Sequence, residues 1–128
     1  MWAHIVVADE KPELLEMMVH ALRSADHCVF QANDGMAAFQ LTLGLAYIDL
    51  LITDTEMPGF DGVELIRHLR SQLPTLPILH IQNLGQSVDW ERLPPDVPTL
   101  REPFSPDQLI DAVRALLVQR ECTASASL

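Results

Sequence analysis

The sequence predicts a doubly wound α/β domain with a five-stranded parallel sheet. Short β-rich apolar runs alternate along its length with segments of helical periodicity, the runs are nearly continuous in apolar residues, and three of them end in acids. Strands buried on both faces read as continuous apolar runs, which is how a parallel sheet differs from a half-wet antiparallel one. Strict alternation of strand and helix implies right-handed crossovers that place helices on both faces.

His4–Ala8 (HIVVA) is the first strand, ended by Asp9 and Glu10. Pro12 opens a helix, where its missing N–H costs nothing, and Leu14, Leu15, Met18, Val19 and Leu22 follow at spacings of three and four. Cys28–Gln31 is the second strand, and Asp34-Gly35 turns into a second helix carrying Met36, Ala37, Phe39 and Leu43. Ile48–Thr53 is the third strand, ended by Asp54. In the loop DTEMPGFDG, Asp61 and Glu64 have capping-box spacing ahead of a helix with Val63, Leu65, Ile66 and Leu69. Pro77–Ile81 is the fourth strand, ended by Gln82. Asn83–Asp96 contains Gly85, Pro94 and Pro95 and offers only a short helical stretch around Ser87–Leu93. Val97–Arg101 is a short fifth strand, with Pro98 suited to an edge or a strand start, and Glu102 follows it. Ser105, Pro106 and Gln108 cap a last helix through Leu109, Ile110, Val113, Leu116 and Leu117. Residues 1–120 are expected to form one domain, and 121–128 (ECTASASL), which lack periodicity, a flexible tail.

A chain of 128 residues, 48% hydrophobic, can bury one sizeable core. Its net charge of −10 lacks the basic footprint of a nucleic-acid binder, so no nucleic-acid partner is expected. Cys28 and Cys122 are far apart and outside any C-x-x-C spacing, reading as a small core residue and a tail thiol in a reducing compartment. Asp9 comes too early for a signal peptide and no apolar run is long enough for a bilayer, so a cytoplasmic location without a membrane partner is expected. His4, His20, His27, His68 and His80 lack metal-ligand spacing, and His20 and His68 read as exposed helix residues. Trp2 and Trp90 read as packing residues, and Met17 and Met18 as core or near-core.

In open α/β sheets ligands bind beyond the carboxyl ends of the strands. That rule gathers Asp9, Glu10, Asp54, Gln82 and Glu102 on one rim. Carboxylates there repel one another unless a cation neutralises them, and hard oxygen ligands with water suit Mg²⁺. Asp54 can then act as a nucleophile that forms an aspartyl phosphate. The plainer account, that the acids cap helices and solvate loop ends, would win for a lone Asp and is weaker for three at adjacent strand ends. Crowding would raise the pKa of one carboxylate when no metal is bound.

The residues also carry a resemblance. VVADEKPELL, LLITDTEMPGFDGVELIRHLR, PILHIQN and LREPFSPDQLIDAVRALL, in that order, resemble the receiver domain of bacterial response regulators over nearly the full chain. The resemblance implies a flavodoxin-like sheet of order 2-1-3-4-5 and a signalling module, rather than an enzyme, in a two-component phosphorelay. It makes Asp54 the phosphoacceptor, charged by a histidine kinase or phosphotransfer protein. Asp9, Glu10 and Asp54 become magnesium ligands with the backbone carbonyl of Glu56, and Gly59 permits the tight turn after Pro58. Family members dimerise or meet partners through the last two crossovers, so a homodimer is among the expected partnerships.

The departures fall on the phosphoryl-contact and switch positions. Glu102 stands where the family has a Lys that contacts the phosphoryl group, Gln82 where it has Ser or Thr, and Thr99 where it has a switch aromatic. Arg101 is adjacent, but strand alternation aims it at the opposite face. Glu10 replaces the commoner Asp and keeps the charge. The metal half of the site is thus retained and the gripping and switching half rebuilt. Two versions of the reading stay open: a phosphorylated receiver with altered readout, and a degenerate receiver working by protein contacts alone. A magnesium-dependent phosphatase of the haloacid-dehalogenase type would need D-x-D-x-T after the first strand, where this chain has Asp9-Glu10-Lys11.

Overall fold

The computed structural model describes residues 2–45, 47–58 and 60–126, with side chains described through Gln119. Gly59 and the Cys122 side chain, both given roles above, lie outside the described residues. The elements run β1 (His4–Ala8), α1 (Pro12–Ser24), β2 (Cys28–Ala32), α2 (Gly35–Leu45), β3 (Leu50–Asp54), α3 (Gly62–Gln72), β4 (Ile78–Gln82), β5 (Thr99–Arg101) and α4 (Pro106–Ala126). The sheet is parallel throughout, in the expected order β2-β1-β3-β4-β5.

Strand alternation divides the core between the two faces. Ile5, Val7, Leu50, Ile52, Leu79 and Ile81 pack with α1 and α4 through Met18, Leu22, Leu109 and Val113. Val6, Ala8, Leu51 and Ile78 pack with α2 and α3 through Ala38, Leu65, Ile66 and Leu69. Full burial of each such Leu or Ile side chain is worth about 1.5–3 kcal/mol. β3 is buried along its whole length, which its largely apolar run foretold.

The predicted caps form. The Asp61 carboxylate accepts from the Glu64 N–H (2.8 Å) and starts α3. Ser105 and Gln108 bond reciprocally, at 3.1 Å and 2.7 Å, and start α4. α1 starts at Pro12 with Lys11 as its N-cap, and that N-cap makes no side-chain bond.

The structure adds three details to the sequence reading. The stretch around Ser87–Leu93 forms turns instead of a helix, so the β4–β5 crossover is irregular while α1 and α4 cover one face and α2 and α3 the other. Pro94 and Pro95 follow at once, lack N–H donors and clash with a preceding helical turn; buried Leu93 and Val97 anchor the segment instead. α4 continues to Ala126 through most of the segment expected as a tail. Absent apolar periodicity there did not exclude a helix, because Ala favours helix wherever it stands. β1 keeps its expected bounds, whereas the second, third and fourth strands each end one residue later than expected, so that Asp54 becomes the last residue of β3.

Candidate functional site

Register brings the strand ends level. Ala8 pairs with Thr53, Asp54 with Ile81 and Gln82 with Arg101, so residues 9, 54, 82 and 102 share the carboxyl rim of the sheet. Gly62 fixes the exit from β3: its N–H donates to the Thr55 carbonyl at 2.6 Å, and a Cβ there would collide with the Asp54 carbonyl oxygen. The Asp-Gly pair is therefore needed for a close backbone approach as well as for the cap.

Asp9 and Asp54 are both fully buried. Asp9 Oδ1 accepts from the Lys11 N–H at 2.8 Å. Asp54 Oδ1 accepts from the Thr55 N–H and from the Asn83 amide, each at 2.7 Å. The second oxygen of each carboxylate, Oδ2, is buried without a hydrogen-bond partner. Burial pushes the Asp9 carboxyl up to about 7, helped by the charges of Asp54 and Glu102 and opposed by the Lys11 N–H and charge. Burial likewise raises Asp54, with Glu10 adding to it and the Thr55 N–H, the Gln86 side chain and Lys11 opposing it. Burial, more than the crowding inferred from sequence, sets both shifts.

The other candidates divide. Glu10 and Glu56 have exposed side chains, and among the described residues no three Asp, Glu, His or Cys side chains cluster closely enough to hold a metal by themselves. Gln82 serves the following turn: its amide donates to the Gln86 carbonyl (3.1 Å), while Gln86 accepts from the Asn83 N–H (2.8 Å). Glu102 accepts from the Leu84 N–H at 3.1 Å and lies 3.7 Å from Lys11 Nζ. The Glu102–Pro103 bond is cis. Arg101 places its guanidinium 5.7 Å from the Trp90 ring centroid, and half-exposed Trp90 also packs edge-on against His80.

Sequence reasoning missed Asn83 and Gln86, which form a turn closed over Asp54, and His80. Asn83 sits in an aperiodic loop with no pattern to mark it. His80 did carry a signal, as the one polar residue in the apolar run PILHI. It is fully buried between Thr55 and Thr99. The Thr55 hydroxyl donates to the Ile81 carbonyl (3.0 Å), so His80 Nε2–H must donate to Thr55 Oγ1 (2.9 Å) and Nδ1 must accept from the Thr99 hydroxyl (3.1 Å). Burial pushes His80 down to about 4, which keeps the ring neutral. A continuous hydrogen-bonded chain thus runs from the residue after Asp54 to Thr99 on β5.

Two buried carboxylate oxygens without partners, at the ends of neighbouring strands, suit a hard cation. Magnesium is commonly held by one or two carboxylates with water and phosphate completing its shell. Asp9 and Asp54 are the residues that fit it.

Residues 5–114 match the family model of the response regulator receiver domain. The chain is 35% identical over 88 residues to the sensor protein EvgS of Escherichia coli, covering 69% of this chain and 7% of that protein. It is 29% identical over 126 residues to the transcriptional regulatory protein FixJ of Bradyrhizobium diazoefficiens, covering 96% of this chain and 60% of that protein. A response regulator receiver protein from Sinorhizobium medicae superimposes with a TM-score of 0.84 at 31% identity, covering 92% of this chain and 96% of the other. The chain therefore spans only part of the curated relatives it matches.

Proposed function

Since this chain belongs to the response regulator receiver domain family, the signalling module of two-component systems, we propose that Asp54 accepts a phosphoryl group from a phosphohistidine of a histidine kinase or phosphotransfer protein. One observation carries the assignment: Asp54 Oδ2 is buried and unpartnered at the end of the central strand, while Oδ1 is occupied by Thr55 and Asn83. Oδ2 is then the oxygen that acts. Its lone pair attacks phosphorus, a P–O bond forms, the P–N bond breaks, and the released imidazole nitrogen keeps the electron pair and takes a proton from solvent. The product is an acyl phosphate on Asp54.

The Thr55 N–H and the Asn83 amide hold the carboxylate in one orientation through that attack. Asp9, Glu10, Asp54 and the backbone carbonyl of Glu56 are the proposed magnesium ligands, with Asp9 and Asp54 the best placed. Magnesium, when bound, supplies positive charge against the incoming phosphoryl oxygens. Gln82, Thr99 and Glu102 occupy the phosphoryl-contact and switch positions, and readout passes by another route than an aromatic swing at Thr99.

Native mass spectrometry with Mg²⁺ and beryllofluoride, on the parent and on Asp54→Ala, tests the reading. The parent is expected to retain the phosphoryl analogue and the variant to lose it. Magnesium binding with no analogue bound to either protein would sink the phosphoacceptor assignment and leave an interaction module that works without phosphorylation.

A further inference from the structure

Resting on that phosphoacceptor reading, we propose that Lys11, on the β1–α1 loop, is the cation that contacts the phosphoryl group at Asp54, and that Glu102 is its tether. A phosphoryl group brings about two negative charges to a rim that already carries Asp9, Glu10, Asp54 and Glu102. Phosphoryl transfer is catalysed chiefly by positioning and by cations aimed at the developing charge.

The chain has a single lysine, and it is here. Its backbone N–H bonds Asp9 Oδ1 at 2.8 Å, which roots the side chain on the rim. Its ammonium lies 3.7 Å from Glu102 Oε2. Its charge is felt at both buried carboxylates, lowering the pKa of each against the effect of burial. Other cations are engaged elsewhere: Arg101 stacks on Trp90, Arg70 pairs with Asp96 at 2.6 Å, and Arg23 bonds the Val29 carbonyl at 3.0 Å.

The Lys11 side chain is half exposed, at 49%. An ion pair that open to water is weak, so Glu102 can hold the ammonium at the rim and still release it to a more negative phosphoryl group. A compact charge on a flexible stem suits that transfer better than a planar guanidinium does. Glu102 also accepts from the Leu84 N–H, so the tether and the turn over Asp54 share one carboxylate.

The test is the rate of phosphorylation by phosphoramidate with Mg²⁺, followed by intact mass. The proteins compared are the parent, Lys11→Ala, the charge-swapped double variant Lys11→Glu with Glu102→Lys, Arg101→Ala and Asp54→Ala. Lys11→Ala is expected to slow labelling about ten- to a hundredfold, the swap to recover most of the rate by presenting the ammonium from β5, and Arg101→Ala to match the parent. Retention of the parent's thermal midpoint by Lys11→Ala confirms that the slow rate is not a folding defect. Labelling of Lys11→Ala at the parent's rate, with Asp54→Ala unlabelled, would overturn the role of Lys11 and leave the phosphoacceptor reading standing. A parent that is never labelled, or an Asp54→Ala variant labelled equally well, would overturn both.

Discussion

The two buried aspartates owe their properties to an uneven sharing of hydrogen bonds. In each, one oxygen is satisfied and the other is buried without a partner. A desolvated carboxylate oxygen without a donor favours the protonated form, and Asp9 shows it with a pKa pushed up to about 7. The consequence for stability has a definite sign. The folded-state value lies above the unfolded value of 3.8, so the folded protein binds the proton more tightly. Stability from this group is present at low pH and is lost as pH rises through about 7. Asp54 is shifted the same way. His27 and His80, both pushed down by burial from 6.5, act with the opposite sign at lower pH. In the presence of a chelator, the thermal midpoint is therefore expected to fall between about pH 6.5 and pH 8. Asp9→Asn should remove much of that slope and melt higher than the parent at pH 8. An equal slope in parent and variant would show that Asp9 is not the group responsible.

At the level of elements, β4 links the site to β5 through His80. Neighbouring parallel strands normally communicate through backbone ladders, which transmit little about a side chain several residues away. Here Thr55, His80 and Thr99 form a side-chain chain from the β3 exit through β4 to β5, and His80 also packs edge-on against Trp90. Any displacement of the β3 exit on phosphorylation thus has a packed route to β5 that needs no aromatic at position 99. The chain requires a neutral ring with one donor and one acceptor nitrogen. His80→Phe keeps the bulk and strands the Thr99 hydroxyl, so a loss of about 1–3 kcal/mol in urea denaturation is expected at pH 7. The pH dependence separates this role from plain packing. His80 has a folded-state pKa of about 4 against 6.5 unfolded, so the unfolded chain takes up the proton first. The parent's advantage is full above pH 6.5 and shrinks as pH falls toward 4. A gap between parent and variant that stayed constant across that range would refute a neutral, doubly bonded His80.

For the whole molecule, what the sequence revealed and what it hid have a common physical origin. Asp9, Asp54 and Glu102 could be placed on one rim because parallel strands must end on the same side, a rule needing only apolar runs and their order. The caps at Asp61 and Ser105 were legible for the same reason, since spacing alone defines them. Contacts set by loop geometry left no periodic trace: Asn83 on Asp54, Gln86 on Asn83, and Lys11 on Glu102. The same loops hold the stretch with the weakest sequence signal, the crossover from Asn83 to Pro98. Its few internal bonds, such as Trp90 to Val88 and Arg92 to Asp89, close single turns, and Leu93 and Val97 are its main buried anchors. Segments with few buried apolar contacts and isolated hydrogen bonds open at lower free energy than core strands. Native-state hydrogen exchange is accordingly expected to show amides of residues 84–96 at least about tenfold less protected than those of β3 and β4. Loading Asp54 with beryllofluoride should change protection first at residues 83–86, because Asp54 Oδ1, which accepts from Asn83 and Thr55, becomes a neutral and weaker carbonyl acceptor when the other oxygen carries a phosphoryl group. Sheet-like protection throughout 84–96, unaltered by the analogue, would mean that the turn over Asp54 is rigid scaffold and takes no part in the response.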